Sequence, residues 1–257
     1  MITLTTDFGL KDPYVAEMKG VILSINPNAK IIDLTHGVEK FNIRMGAFIL
    51  ASAASYFPKG TVHLAVVDPG VGTERRAILV QTKTGFFVGP DNGLLILAAK
   101  KQGIRHLYQL ANPKFMLAKV SRTFHGRDIF APVSAYLDKG VAPQKFGKEI
   151  THPVTPKFAS ARIENGCIIG EVLYVDGFGN LITNINQGQL PQNKILKIKL
   201  QNPPLELVLG TTYAQTEPNT AIVLVGSHGF LEIALNQANA AEKFQAKVGD
   251  EVEVSEA

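Results

Sequence analysis

Four polar clusters interrupt the apolar runs of this 257-residue chain, each where a strand is expected to end and a loop to begin. In α/β sheets that edge is where ligands bind. The first cluster is Thr5-Thr6-Asp7-Phe8-Gly9, where Asp7 leaves the end of the first strand. A carboxylate there can accept two hydrogen bonds from a vicinal diol such as a ribose, or it can merely close the strand in an Asx-turn. Asp-Phe-Gly is also a kinase tripeptide, but no His-Arg-Asp loop and no Gly-rich loop accompanies it, and that reading is rejected.

The second cluster, Val67-Asp68-Pro69-Gly70-Val71-Gly72-Thr73-Glu74-Arg75-Arg76, follows the strongest buried strand. Its glycines suit a dinucleotide loop poorly, because Arg75 stands in the place of the third glycine and the loop leads into a strand. What remains is Asp68 and Arg75, spaced so that the guanidinium folds back onto the carboxylate; an ordinary loop-stabilising ion pair is the plainer alternative. The third cluster is Thr123-Phe124-His125-Gly126-Arg127-Asp128. His125, beside a glycine on a polar loop ahead of an apolar helix, stands out by context among the six histidines. No His-Glu-x-x-His pattern or comparable ligand pair occurs, so no metal is expected. The fourth is a pair of segments, Asp176-Gly177-Phe178-Gly179-Asn180 and Gly226-Ser227-His228-Gly229-Phe230-Leu231-Glu232. Phe178 and Phe230 offer faces to a flat base, and Asn180 offers a donor and an acceptor to a purine edge. Taken alone, the two segments read equally as tight turns of a β-domain.

The elements that must position these clusters change character along the chain. Ile2 to Thr6, Ile31 to Leu34 and Val62 to Val67 read as strands, with Ile78 to Gln81 and Phe86 to Gly89 flanking a Lys-Thr-Gly turn. Asp12-Pro13 opens a helix with Asp12 as its N-cap, and Val15, Met18, Ile22 and Ile25 form its apolar face. Ile43 to Tyr56, Leu94 to Lys101 and Ile129 to Leu137 also read as helices. Between Val141 and Phe158 the periodicity lapses among Pro143, Pro153 and Pro156. Beyond it, helix signals fade and short strands recur: Cys167 to Val175 behind an Asn165-Gly166 hairpin turn, then Ile195 to Leu200, Leu205 to Leu209, Ala221 to Val225 and Leu231 to Leu235. The expected architecture is an α/β domain over residues 1–150 with a central sheet flanked by helices, a linker over 151–162, and an all-β, barrel-like domain over 163–257.

Composition narrows the function classes. Hydrophobic residues make up 46% and charged residues 19%, enough apolar material for a sizeable core. Lys and Arg number 26 against 22 Asp and Glu, with the surplus dispersed, so nucleic acid is not an expected partner. Cys167 alone cannot form an internal disulfide or a cysteine metal cluster, which points to a reducing cytoplasm. No signal peptide is read at the N-terminus, and no segment approaches the roughly 20 apolar residues that span a bilayer.

Together the clusters, with Gly89-Pro90-Asp91-Asn92-Gly93 and Leu231-Glu232-Ile233-Ala234, resemble the S-adenosyl-L-methionine hydroxide adenosyltransferase family. These are relatives of the enzymes that make 5′-fluoro- and 5′-chloro-5′-deoxyadenosine. The resemblance runs over nearly the whole chain. It implies hydrolysis of S-adenosyl-L-methionine to adenosine and L-methionine without a cofactor, in a homotrimer with each active site between neighbouring subunits. By position it implies a hydrolytic triad of Asp68, Arg75 and His125. Asp7 falls at the ribose acid, Asp176 at the partner of the methionine amino group, and Phe178 and Asn180 at the nucleoside contacts. Ser227 falls at the methionine carboxylate and Glu232 within a further substrate-binding stretch, while His228 stands where the halogenases carry arginine. A 5′-halogenase is the nearest rival, yet those relatives carry a tyrosine at Asp68, a serine at Gly126 and an extra loop. A non-catalytic sensor of adenosine or S-adenosyl-L-methionine would need the pocket residues without the triad.

Overall fold

The structure is a computed structural model that describes residues 1–191, 193–200 and 203–256. Contacts divide the chain into two compact units, Met1–Pro156 and Lys157–Ala257.

The first unit runs β1 (Ile2–Thr6), α1 (Tyr14–Ile25), β2 (Ile31–Thr35), α2 (Ile43–Ala53), β3 (Val62–Val66), β4 (Ala77–Thr82), β5 (Phe86–Pro90), α3 (Ile96–Gln102), β6 (Ile104–Gln109) and α4 (Ala131–Asp138). Its six-stranded sheet has the order β2-β1-β3-β5-β4-β6. Strands β2, β1, β3 and β5 are parallel, and β4 and β6 extend the sheet in antiparallel pairs. Every residue of β1 and of β3 is buried, as expected where helices cover both faces of a parallel sheet. Thr6 pairs with Val66, so Asp7 and Val67-Asp68 leave the carboxyl ends of adjacent parallel strands. The fold thereby brings the first two sequence clusters to one edge.

All four expected helices are shifted at an end: α3 and α4 each start two residues late, after Leu95 and Phe130, and the first two differ as follows. The first helix begins at Tyr14, and Asp12 is not its cap: Pro13 occupies the N-cap with φ −75° and ψ −3° and no side-chain capping bond. Proline's fixed φ already lies in the helical range, so the helix start slides one residue past it. The expected helix from Ile43 to Tyr56 is α-helical only to Ala53 and finishes as a 3-10 turn over Ala54–Tyr56. Its start is capped by Asn42, whose side chain accepts the Met45 N–H.

The second unit contains β7 (Arg162–Glu164), β8 (Cys167–Val175), β9 (Leu181–Asn186), β10 (Ile195–Lys199), β11 (Leu205–Gly210), β12 (Ala221–Val225), β13 (Phe230–Leu235), α5 (Ala240–Phe244) and β14 (Glu251–Glu256). Seven strands follow the order β14-β10-β11-β12-β13-β9-β8, and pairing of β14 with β8 closes them into a barrel. Strand β7 pairs with the start of β8 through a turn at Asn165 (φ 50°) and Gly166 (φ 80°), the left-handed pair that a tight hairpin requires. Alternating residues fill the interior, among them Val172, Leu181, Leu196, Ile198, Val223, Leu231, Ile233, Val252 and Val254.

Candidate active site

The loop after β3 is shaped to bend Arg75 back onto Asp68. Thr73 donates its hydroxyl to the Gly70 carbonyl at 2.7 Å, and the Arg75 N–H reaches Thr73 Oγ1 at 3.4 Å. Gly72 has φ 78°, and a Cβ there would lie 2.1 Å from the Arg122 carbonyl oxygen. Only glycine allows this loop to press against the 121–128 segment. The next residue along is braced separately: Arg76 Nε donates to Asp91 Oδ2 at 2.7 Å, while Asp91 Oδ1 accepts the Val154 N–H at 2.8 Å.

Arg75 Nε donates to both Asp68 oxygens at 3.0 Å, and Nη2 donates to Oδ2 at 2.5 Å. The same Nη2 lies 2.8 Å from His125 Nδ1. The side chains of Asp68 and Arg75 are only 4% and 11% exposed, so this is a shielded pair rather than a solvated surface bridge. An arginine can only donate. His125 Nδ1 therefore accepts, and the hydrogen of the neutral ring sits on Nε2. Burial and then the Arg75 charge hold His125 below the usual histidine pKa, outweighing Asp68, Asp128 and a hydrogen bond with the Ser121 backbone.

His125 caps a π-helical turn, Gly126–Phe130, that leads into α4; the cluster was expected to end before a helix, and its last three residues are inside this turn. Wide turns of this type recur at functional sites. Buried Asp128 accepts the Ser121 N–H at 2.7 Å and Arg127 Nε at 2.7 Å. Burial alone would raise its pKa, but those hydrogen bonds outweigh it and hold Asp128 ionised.

Asp7 lies at the same sheet edge, 5% exposed. Its Oδ2 accepts the Phe41 N–H at 2.8 Å, and no described residue occupies Oδ1. Phe41 holds φ 65° and is 67% exposed, a bulky side chain in the left-handed region beside the candidate ribose acid.

On the barrel, a cavity of about 630 Å³ is lined by Asp176, Phe178, Asn180, Tyr213 and Asn239, among others. Asp176 organises its rim: Oδ1 accepts the Phe178 and Asn180 N–H groups at 2.9 Å, and Oδ2 accepts Asn180 Nδ2 at 3.0 Å. The Gly179 carbonyl accepts the Ala241 N–H at 2.9 Å, which staples the rim to α5. Phe178 is 81% exposed, a large apolar face left open at a cavity mouth. Glu232 is buried beneath Tyr213 and His228, and Ser227 is exposed; neither Ser227 nor Glu232 lines this cavity.

The structure thus joins Asp68, Arg75 and His125 by direct hydrogen bonds, sets Asp7 at the same sheet edge, and gathers Asp176, Phe178 and Asn180 around one cavity. Sequence reasoning missed Tyr213, which carries no motif, and the bracing by Asp91 and Asp128, although both lie in the motifs quoted above. Among the described residues, no cluster of three His, Cys, Asp or Glu is arranged to hold a metal ion.

The N-terminal domain of SAM hydroxide adenosyltransferase matches residues 2–147, and the C-terminal domain of the same family matches 170–253. The chain belongs to the SAM hydroxide adenosyltransferase family. Among its relatives, an "(R)-S-adenosyl-L-methionine hydrolase" of Methanocaldococcus jannaschii is 37% identical over 99% of this chain and 95% of its own length. A "Fluorinase" of Actinopolyspora mzabensis is 29% identical over 99% of this chain and 97% of its own length. The solved structure of an uncharacterized conserved protein from Thermotoga maritima superposes with a TM-score of 0.87 at 39% identity, covering 99% of this chain and all of that one.

Proposed function

We propose that this chain hydrolyses S-adenosyl-L-methionine to adenosine and L-methionine by displacement at the ribose C5′ carbon. The observation that carries the reading is the guanidinium of Arg75 held between Asp68 and His125 at the carboxyl edge of a parallel sheet. Family membership and the hydrolase relatives support the substrate.

The chemistry asks little of the protein. The sulfonium departs as neutral methionine with the C5′–S electron pair, so no acid is needed for the leaving group and no cofactor is invoked. A water oxygen forms the new bond to C5′, and one proton is released. The site must hold that water in line and accept its proton, and positioning of this kind supplies several kcal/mol. Within the triad, His125 Nδ1 is occupied by Arg75 and its Nε2–H by the Ser121 backbone, so the imidazole holds Arg75 in place. Asp68 is the group left to accept the proton, and Arg75 stabilises the hydroxide as it develops. Asp7 would hold the ribose diol through its open oxygen. Asp176, Phe178 and Asn180 would hold the amino group and base, with Ser227 at the methionine carboxylate.

Asp7 and the water-activating groups lie on one compact unit, and the proposed base and methionine contacts on the other. That supports a homotrimer whose sites complete one another across subunit boundaries. Among the described residues no helix is long and apolar enough to cross a membrane, and the single unpaired cysteine suits a cytoplasmic enzyme. Purified protein with S-adenosyl-L-methionine should yield equimolar adenosine and methionine, at one rate whether the buffer salt is chloride, fluoride or sulfate. A halide-dependent product would favour the halogenase reading, and binding without turnover the sensor.

A further inference from the structure

Tyr213 opens a single 3-10 turn whose start is fixed by a capping box between Thr212 and Gln215. Its ring lines the barrel cavity and is 41% exposed. Its hydroxyl donates to Glu232 Oε1 at 2.6 Å. The Glu232 carboxylate is only 4% exposed and faces a second donor on its other oxygen. His228 Nδ1 accepts the Phe230 N–H at 3.2 Å, which leaves the neutral ring's hydrogen on Nε2, 3.3 Å from Glu232 Oε2. A Cβ at Gly226 would lie 2.4 Å from His228 Nε2 and 2.6 Å from Glu232 Oε2, so glycine is what lets this pair close. Burial, then the hydrogen bond and charge of Glu232 and the charge of Asp176, hold the phenol well above the usual tyrosine pKa. The hydroxyl therefore keeps its proton, and that proton belongs to Glu232.

We propose that Tyr213 is a further substrate-contact residue that selects for a hydrogen-bond donor, with Glu232 as the positioning residue that makes it do so. Because Glu232 takes the one phenolic proton, the oxygen offers the ligand lone pairs only. It thus accepts an N–H and rejects a carbonyl, the kind of discrimination that an unpaired polar group enforces most strongly. This rests on the S-adenosyl-L-methionine reading, and that substrate carries two groups of the required chemistry: the exocyclic adenine amine and the methionine α-ammonium.

The test is calorimetric titration of wild type, Tyr213→Phe, Glu232→Gln and the double variant with adenosine, inosine and L-methionine, each protein checked for a wild-type melting profile. Tyr213→Phe is expected to weaken one amine-bearing ligand roughly three- to tenfold. Loss for adenosine but not inosine assigns the adenine amine, and loss for methionine alone assigns the ammonium. Glu232→Gln should weaken that same ligand, and the double variant should lose no more than Tyr213→Phe alone, since Glu232 acts through Tyr213. Unchanged binding in Tyr213→Phe, or an equal loss for adenosine and inosine, overturns the proposal while leaving the hydrolase intact. A wild-type protein that binds none of the ligands and does not consume S-adenosyl-L-methionine removes both. If Glu232→Gln unfolds the barrel, Tyr213→Phe alone still decides the contact.

Discussion

Arg75 and His125, fifty residues apart in sequence, meet at 2.8 Å through Nη2 and Nδ1. Because a guanidinium only donates, this one contact sets the imidazole tautomer and removes Nδ1 from proton chemistry. The proposed division of labour in the triad, with Asp68 accepting the proton and His125 holding Arg75 in place, follows from it.

Arg75→Lys keeps the charge but loses the fork that grips Asp68 and reaches His125 together. Single-turnover rates should fall on the order of a hundredfold, while adenosine affinity by calorimetry stays within twofold of wild type. A matched loss in both measurements would place Arg75 in binding instead.

The His125 ring should titrate below 6.5, the ordinary histidine value, when followed by NMR. Burial and the Arg75 charge both favour the neutral ring. In Arg75→Gln the second of these is gone, so the titration should move upward while burial still holds it from rising freely. An unmoved titration would mean that the charge of Arg75 does not govern the imidazole.

His63 gives the fold an acid-sensitive element remote from the triad. It is 1% exposed, bonded to Thr3 Oγ1 and stacked on Phe87, and burial pushes it down to about 4. Between pH 6.5 and about 4 the unfolded chain binds a proton that the folded one refuses, so stability present above 6.5 is lost as pH falls through this window. The loss amounts to about 3 kcal/mol. His63→Gln should flatten that part of the stability profile in urea melts; an unchanged slope would assign the acid sensitivity elsewhere.

Much of this was legible in the sequence because its signals are local. Buried β-branched runs mark β1 and β3, Asn165-Gly166 marks its hairpin, and the loss of periodicity after Val141 marks the change in architecture. Asp68 was visible as a polar residue just past a strand end, whereas the His125 cluster follows no strand and instead heads a π-helical turn. What stayed hidden depends on partners distant in the chain. Strand β9 places Thr183 and Asn184 in the interior, where Leu231, Glu171 and Phe158 satisfy them, so its polar residues disguise a buried strand. Strand β6 begins with three exposed residues, Ile104, Arg105 and His106, and shows no core pattern. Strand β14 was not among the expected strands, although Val252 and Val254 alternate with Glu251 and Glu253. The role of Tyr213, in a 3-10 turn, depends on Glu232 in β13, and no spacing rule connects them.

Gly72→Ala tests whether loop shape or residue identity matters more in placing Arg75. A Cβ at φ 78° against the Arg122 carbonyl should cost about 1 to 3 kcal/mol of stability. It should also reduce turnover with all three triad residues still present, while adenosine binding is unaffected. Normal turnover in a destabilised variant would separate the loop from the chemistry.

The most direct test of the central claim is mass spectrometry of the products formed from S-adenosyl-L-methionine in oxygen-18 water. The account predicts one labelled oxygen in adenosine, at the 5′-hydroxyl, and unlabelled methionine. Homocysteine, methylthioadenosine or unlabelled adenosine as the product would contradict it.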